Sequence, residues 1–144
     1  GGKMLISSAL PVLAAGGGQT YSFLQILPID SIATEQISGS FNTNADSLIV
    51  ARLAGYPDLK TKSFKIYGDE FSPFHPTSDA EELYRAQLET KNGWAGPYSV
   101  DALRRNASGI TNQVFFGLPL HELGRSQTNI DALMNQLIKQ EFKR

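Results

Sequence analysis

Through residue 45 only three side chains carry a formal charge, Lys3, Asp30 and Glu35, and the remaining 24 charged residues all lie beyond that point. A first third so poor in charge has few groups to hold it in water. Its apolar residues must pack, either into the chain's own core or against another subunit. The rest of the sequence has to supply the solvated surface.

With 144 residues the chain is long enough for one hydrophobic core, burying roughly two-thirds of the surface its unfolded form exposes. Charged residues make up 19% of it and the formal net charge is -1, so no overall field gathers nucleic acid or an anionic membrane. Cysteine is absent, which removes disulfides, thiol nucleophiles, iron–sulfur clusters and cysteine zinc sites together. No apolar run approaches the ~18 residues of a helical membrane span.

The opening segment has two readings. Lys3 followed by Met4-Leu5-Ile6-Ser7-Ser8-Ala9-Leu10-Pro11-Val12-Leu13-Ala14-Ala15 has the charge, short apolar stretch and small-residue end of a secretory leader. Read instead as part of the folded protein, it is an apolar arm over residues 1–19, held by nonpolar contact. The Gly1-Gly2 start fits a vector-derived remnant and a proteolytically processed terminus equally well. The division that follows is an N-terminal arm over 1–19 and a single globular domain over 20–144.

Within that domain, Thr20 to Leu27 is apolar on both faces and stops before Pro28, as a strand covered on both sides would. Leu48 to Ala54 is ambiguous between strand and helix, and its capping residues tip it to helix. Lys62 to Tyr67 alternates as a half-exposed strand. Ser78-x-x-Glu81 has the form of a capping box, with Ala80, Leu83, Tyr84 and Leu88 as a helical stripe and Asn92-Gly93 as its stop. A shorter helix is expected from Ser99 through Val100, Ala102 and Leu103, then a strand over Gln113 to Phe116. The last helix has its start boxed by Thr128 and Asp131 and a stripe of Ile130, Leu133, Met134, Leu137, Ile138 and Phe142.

The expected fold is therefore α+β: a small, mostly antiparallel sheet packed by two longer helices, with the extended apolar N-terminal arm. A parallel βαβ arrangement is the alternative.

Residues with chemistry are sparse. His75 and His121 are the only imidazoles, and His121-Glu122 fails the metalloprotease pattern because position 125 is Arg. No metal and no cofactor are expected. No Gly-x-Ser-x-Gly elbow exists for a serine nucleophile. The carboxylate pairs Asp69-Glu70 and Glu81-Glu82 are explained by a turn and by helix capping. The positive residues make two small groups, Lys60-x-Lys62-x-x-Lys65 and Arg104-Arg105; a nucleic-acid contact with Tyr67 stacking on a base is one reading, and a solvated edge strand protected by lysines is the favoured one. The only tryptophan lies in Asn92-Gly93-Trp94-Ala95-Gly96-Pro97-Tyr98, a Gly- and Pro-rich turn that can present aromatics to a partner or plug the core. Asn106-Ala107-Ser108 matches the N-glycosylation acceptor pattern.

The leading expectation is a noncatalytic assembly subunit of a larger complex, homo- or hetero-oligomeric, whose partners are other protein subunits. Its contact residues would be Met4, Leu5, Ile6, Leu10, Val12 and Leu13 of the arm. A small module binding peptide or carbohydrate through Trp94 and Tyr98 is the second reading, and a hydrolase using carboxylates or His121 the third.

Overall fold

The computed structural model describes residues 2–7, 26–28, 32–33, 36–37, 46–62, 70–71, 74–90, 93–117, 120 and 127–142. Strands dominate them. In chain order they are β1 (Met4–Ser7), β2 (Ile26–Pro28), β3 (Ile32–Ala33), β4 (Gln36–Ile37), β5 (Asp46–Ala51) and β6 (Leu59–Lys62), followed by β7 (Glu70–Phe71), β8 (Phe74–Pro76), β9 (Ala80–Thr90), β10 (Gly93–Arg105) and β11 (Thr111–Phe116). Among the described residues the one bounded α-helix, α1 (Gln127–Gln136), runs into a π-helical turn over Leu137–Glu141.

The main sheet follows the order β1-β11-β10-β9-β5-β6, with β8 on β10, β4 on β9 and β2 on β8, while β3 and β7 form a separate pair. It is mixed: β1 runs parallel to β11, and the other pairings are antiparallel. The long β9–β10 hairpin is its backbone. The ladder opens at Thr90 opposite Gly93 and runs to Ala80 opposite Arg104.

The expected pair of longer helices is overturned here. The segment read as a helix from Ser78 is β9, the one read as a helix from Ser99 is the second half of β10, and of Leu48 to Ala54 the first four residues belong to β5. The supposed capping box is a turn instead. Ala80 N–H donates to the Thr77 carbonyl at 3.1 Å, and Asp79 N–H to Thr77 Oγ1 at 3.4 Å.

The helical appearance comes from two bulges. Between Ser99 opposite Arg85 and Asp101 opposite Tyr84, Val100 is an extra residue on β10; between Tyr84 and Glu82, Leu83 is an extra residue on β9. Each bulge advances the side-chain alternation by one residue. Leu83 and Tyr84 therefore both enter the same core although they are sequence neighbours, and Val100 and Leu103 enter it three residues apart. Spacings of three and one are what an amphipathic helix shows.

The main core lies on the α1 side of the sheet. Ile49, Leu59, Leu83, Tyr84, Val100, Leu103, Val114 and Phe116 meet Leu133 of α1 and Leu137 of the π-turn there. The Tyr84 ring lies edge-on to Tyr56 at 6.5 Å and tilted to Phe116 at 6.3 Å, and its hydroxyl donates to the Pro57 carbonyl at 2.7 Å. A smaller cluster of Phe74, Ala102 and Phe115, with Ile6 against it, occupies the other face. Close approach sets one glycine: a Cβ on Gly117 would sit 2.5 Å from the Val100 carbonyl oxygen, which already accepts the Gly117 N–H.

The opening strand is built into this sheet. Ile6 packs against the small cluster, Lys3 Nζ donates to the Thr111 carbonyl at 2.7 Å, and Ser7 Oγ accepts the Leu120 N–H at 3.0 Å. What was expected as an extended arm is, over Met4–Ser7, the end strand of the chain's own sheet among the described residues; residues 8–19 lie outside them.

Candidate functional site

Two polar constellations sit on the β9–β10 hairpin. One lies at the sheet end where β10 turns into β11, in an open cleft of about 600 Å³ lined by Ser78, Asp79, Glu81, Arg104, Arg105 and Asn112 and by the turn at Asn106-Ala107. The pairing of Leu103 with Glu81 puts that carboxylate within reach of Arg105, and the two form an ion pair. The Arg105 guanidinium also reaches Glu141 of the π-turn at 3.4 Å. Glu141 is buried and accepts the Thr111 hydroxyl at 2.7 Å. Arg105 and Thr111 thus tie the helical C-terminus to the sheet.

Tyr56 lies beside this network, its buried hydroxyl next to the Glu141 carboxylate. Burial, with the negative charge of Glu141 beside it, holds the phenol well above its ordinary pKa, so it stays neutral. It is a poor proton donor or base at neutral pH. The cleft itself is lined by two acidic and two basic side chains, which leaves no net charge to gather an ionic ligand.

The second constellation is on the opposite face. Glu82 accepts both prongs of Arg85 at 2.9 and 2.7 Å, approaches Arg52 at 3.4 Å, and accepts the Ser99 hydroxyl. Burial by itself would raise the Glu82 pKa. Hydrogen bonds from Arg85 and Ser99, with the charges of Arg85 and Arg52, outweigh it and hold the carboxyl below its ordinary value. A carboxylate neutralised in this way is a structural anchor, because both of its oxygens are committed.

Glu81 and Glu82, read from the sequence as helix-capping neighbours, are strand neighbours facing opposite sides of the sheet. One pairs with Arg105 and the other with Arg85, so they do not form an opposed catalytic pair. Among the described residues no group of His, Asp and Glu could hold a metal ion, and no helix is long and apolar enough to cross a membrane.

Of the arm residues, Met4, Leu5 and Ile6 form β1, with Leu5 more exposed than its neighbours; Leu10, Val12 and Leu13 lie outside the described residues. The Trp94 to Tyr98 segment, expected as a loop, is part of β10, with Trp94 opposite Glu89 and Tyr98 opposite Ala86. Tyr98 is half-buried and packs against the main core, nearer to the plug than to the displayed anchor. His75 is exposed on β8, and His121 lies outside the described residues.

The sequence reading overlooked Glu141. A signal existed, since a charged residue four positions after Leu137 falls on the helix's apolar stripe. In the π-turn the Phe142 N–H bonds the Leu137 carbonyl at 2.8 Å, five residues back, and Glu141 is buried while Ile138 is left 51% exposed.

Compared with protein-family models, curated proteins and solved structures, the chain matches none of them.

Proposed function

We propose that this chain is a noncatalytic assembly subunit that joins other protein subunits by strand addition at its β1 edge, with a second copy of the chain as the simplest partner. The observation that carries this reading is the contrast between the two ends of the sheet. β6, at one end, reads Leu-Lys-Thr-Lys, and lysines on an edge strand oppose pairing with another chain. β1, at the other end, reads Met-Leu-Ile-Ser, with no charge, proline or bulge among those four residues to guard it. Over Met4, Leu5 and Ile6 its outer edge pairs with no strand among the described residues.

An edge that meets its own two-fold mate pairs antiparallel and closes without propagating further. The ion pairs of the two polar constellations support the noncatalytic half of the reading. Glu82 and Glu141 are each held by Arg and hydroxyl partners, as carboxylates in structural roles are.

The test is solution mass by light scattering across a concentration series, run on the wild type and on Leu5→Lys. Leu5 is 36% exposed, so a lysine there can reach water without disturbing the core. The wild type is expected to associate and the variant to associate at least about tenfold more weakly, the equivalent of 1.4 kcal/mol. A wild type that stays monomeric at the highest concentration, or a variant that associates equally well, would refute the proposal.

A further inference from the structure

We propose that Asn106 is an acceptor site for an N-linked oligosaccharide. Asn106-Ala107-Ser108 is the only Asn-x-Ser/Thr triplet in the chain, and its middle residue is not proline. The structure puts it where a glycan fits. The triplet forms the turn that joins β10 to β11, and Asn106, Ala107, Ser108 and Gly109 are all exposed.

The turn also sorts the two ends of the Asn106 amide. Its Oδ1 accepts the N–H groups of Ser108 at 2.9 Å and Ile110 at 3.0 Å. The main chain closes the same turn, with Asn106 N–H donating to the Ile110 carbonyl at 2.8 Å and Gly109 N–H to the Asn106 carbonyl at 2.9 Å. With the oxygen held on the turn, the amide nitrogen Nδ2 is the end left to be modified. The turn itself is open: Asn106 to Gly109 are exposed, and a Cβ added at Gly109 would meet nothing within 4 Å.

The co-reactant is a lipid-diphosphate-linked oligosaccharide presented by an oligosaccharyltransferase. Nδ2 attacks C1 of the first sugar, the N–C1 bond forms and the C1–O bond to phosphate breaks. The lipid diphosphate leaves with the bonding electron pair, and one Nδ2 proton passes to a base of the transferase. No electrons are gained or lost overall. An oligosaccharide added here projects from the sheet end and leaves the hydrogen bonds of the turn intact, since those use Oδ1 and the main chain.

The experiment secretes the full chain from a eukaryotic host behind a cleavable leader and measures intact mass before and after treatment with a peptide-N-glycosidase. Most wild-type molecules should carry one oligosaccharide that the enzyme removes, leaving aspartate at the site. Asn106→Gln should carry none. Because that variant disturbs the turn, Ser108→Ala is the decisive control: it keeps the main-chain N–H that Asn106 accepts and should fold as the wild type does, by circular dichroism, without glycan. A secreted, folded wild type with no added mass overturns the proposal. So does a modification that persists in Ser108→Ala.

Discussion

Ala86 and Gln87 offer a direct test of the strand that replaces the expected helix. With 100° per residue, a helix whose stripe holds Ala80, Leu83, Tyr84 and Leu88 places position 87 on that stripe and position 86 well off it. The sheet reverses this. Ala86 is 3% exposed, opposite Tyr98 and inside the main core, whereas Gln87 is exposed. Aspartate is the informative substitution, since it is too short to carry its charge out to water.

At Ala86 the new carboxyl must either stay charged in the core or take up a proton and remain without a hydrogen-bond partner. Together with the poor strand propensity of Asp, this costs about 3–4 kcal/mol. At Gln87 the carboxylate stays in water, and the weaker strand propensity together with the contact the glutamine gives up costs about 1 kcal/mol. With a urea slope of about 2 kcal/mol per molar, Ala86→Asp lowers the unfolding midpoint by about 1.5–2 M and Gln87→Asp by no more than about 0.5 M. Equilibrium urea unfolding followed by far-ultraviolet circular dichroism measures both. Midpoints that fall together within about 0.3 M, or a larger loss at Gln87, would refute the bulged-strand account.

Two further outcomes follow from the same structure. The Glu82 carboxyl is held below its ordinary value of 4.5, so the unfolded chain takes up its proton first as pH falls; the stability Glu82 contributes is complete above that value and is lost as pH drops through the lower folded pKa. Glu82→Gln should flatten that part of the acid limb in a pH series of thermal unfolding, and an unchanged limb would remove Glu82 from the account. Gly117→Ala drives a methyl group to 2.5 Å from the Val100 carbonyl oxygen, and a cost of about 1–3 kcal/mol should lower Tm by roughly 3–10 °C by calorimetry. An unchanged Tm would mean that β10 and β11 can separate there without penalty.

The candidate site was legible only in pieces. Arg104 and Arg105 stood out as adjacent positive charges, and Glu81 and Glu82 as adjacent negative ones, but a helix was the wrong frame for the carboxylates. In a strand, neighbours diverge to opposite faces, so each carboxylate finds a different arginine. Thr111 and Glu141 are 30 residues apart in sequence, and no local pattern announces that one hydroxyl will meet one carboxylate across the sheet end. The Lys60 and Lys62 spacing marks β6 as a strand without saying that Met4–Ser7 lies at the opposite end of the same sheet.

What the sequence determined by itself is what depends on local composition and uninterrupted periodicity. It set the absence of thiol chemistry, the strand at Gln113 to Phe116 stopped by Gly117 and Pro119, and the terminal helix, whose apolar stripe recurs without interruption through Leu137. Only the tertiary structure decided that residues 80–90 and 93–105 are strands. Helix formers such as Ala, Glu, Leu, Arg and Gln crowd β9, and the extra residues Leu83 and Val100 turn a two-residue repeat into spacings that mimic a helical turn. The physical reason is that local preferences amount to tenths of a kcal/mol per residue, whereas burying Leu83, Tyr84, Val100 and Leu103 completes a core that each side chain stabilises by roughly 1.5–3 kcal/mol.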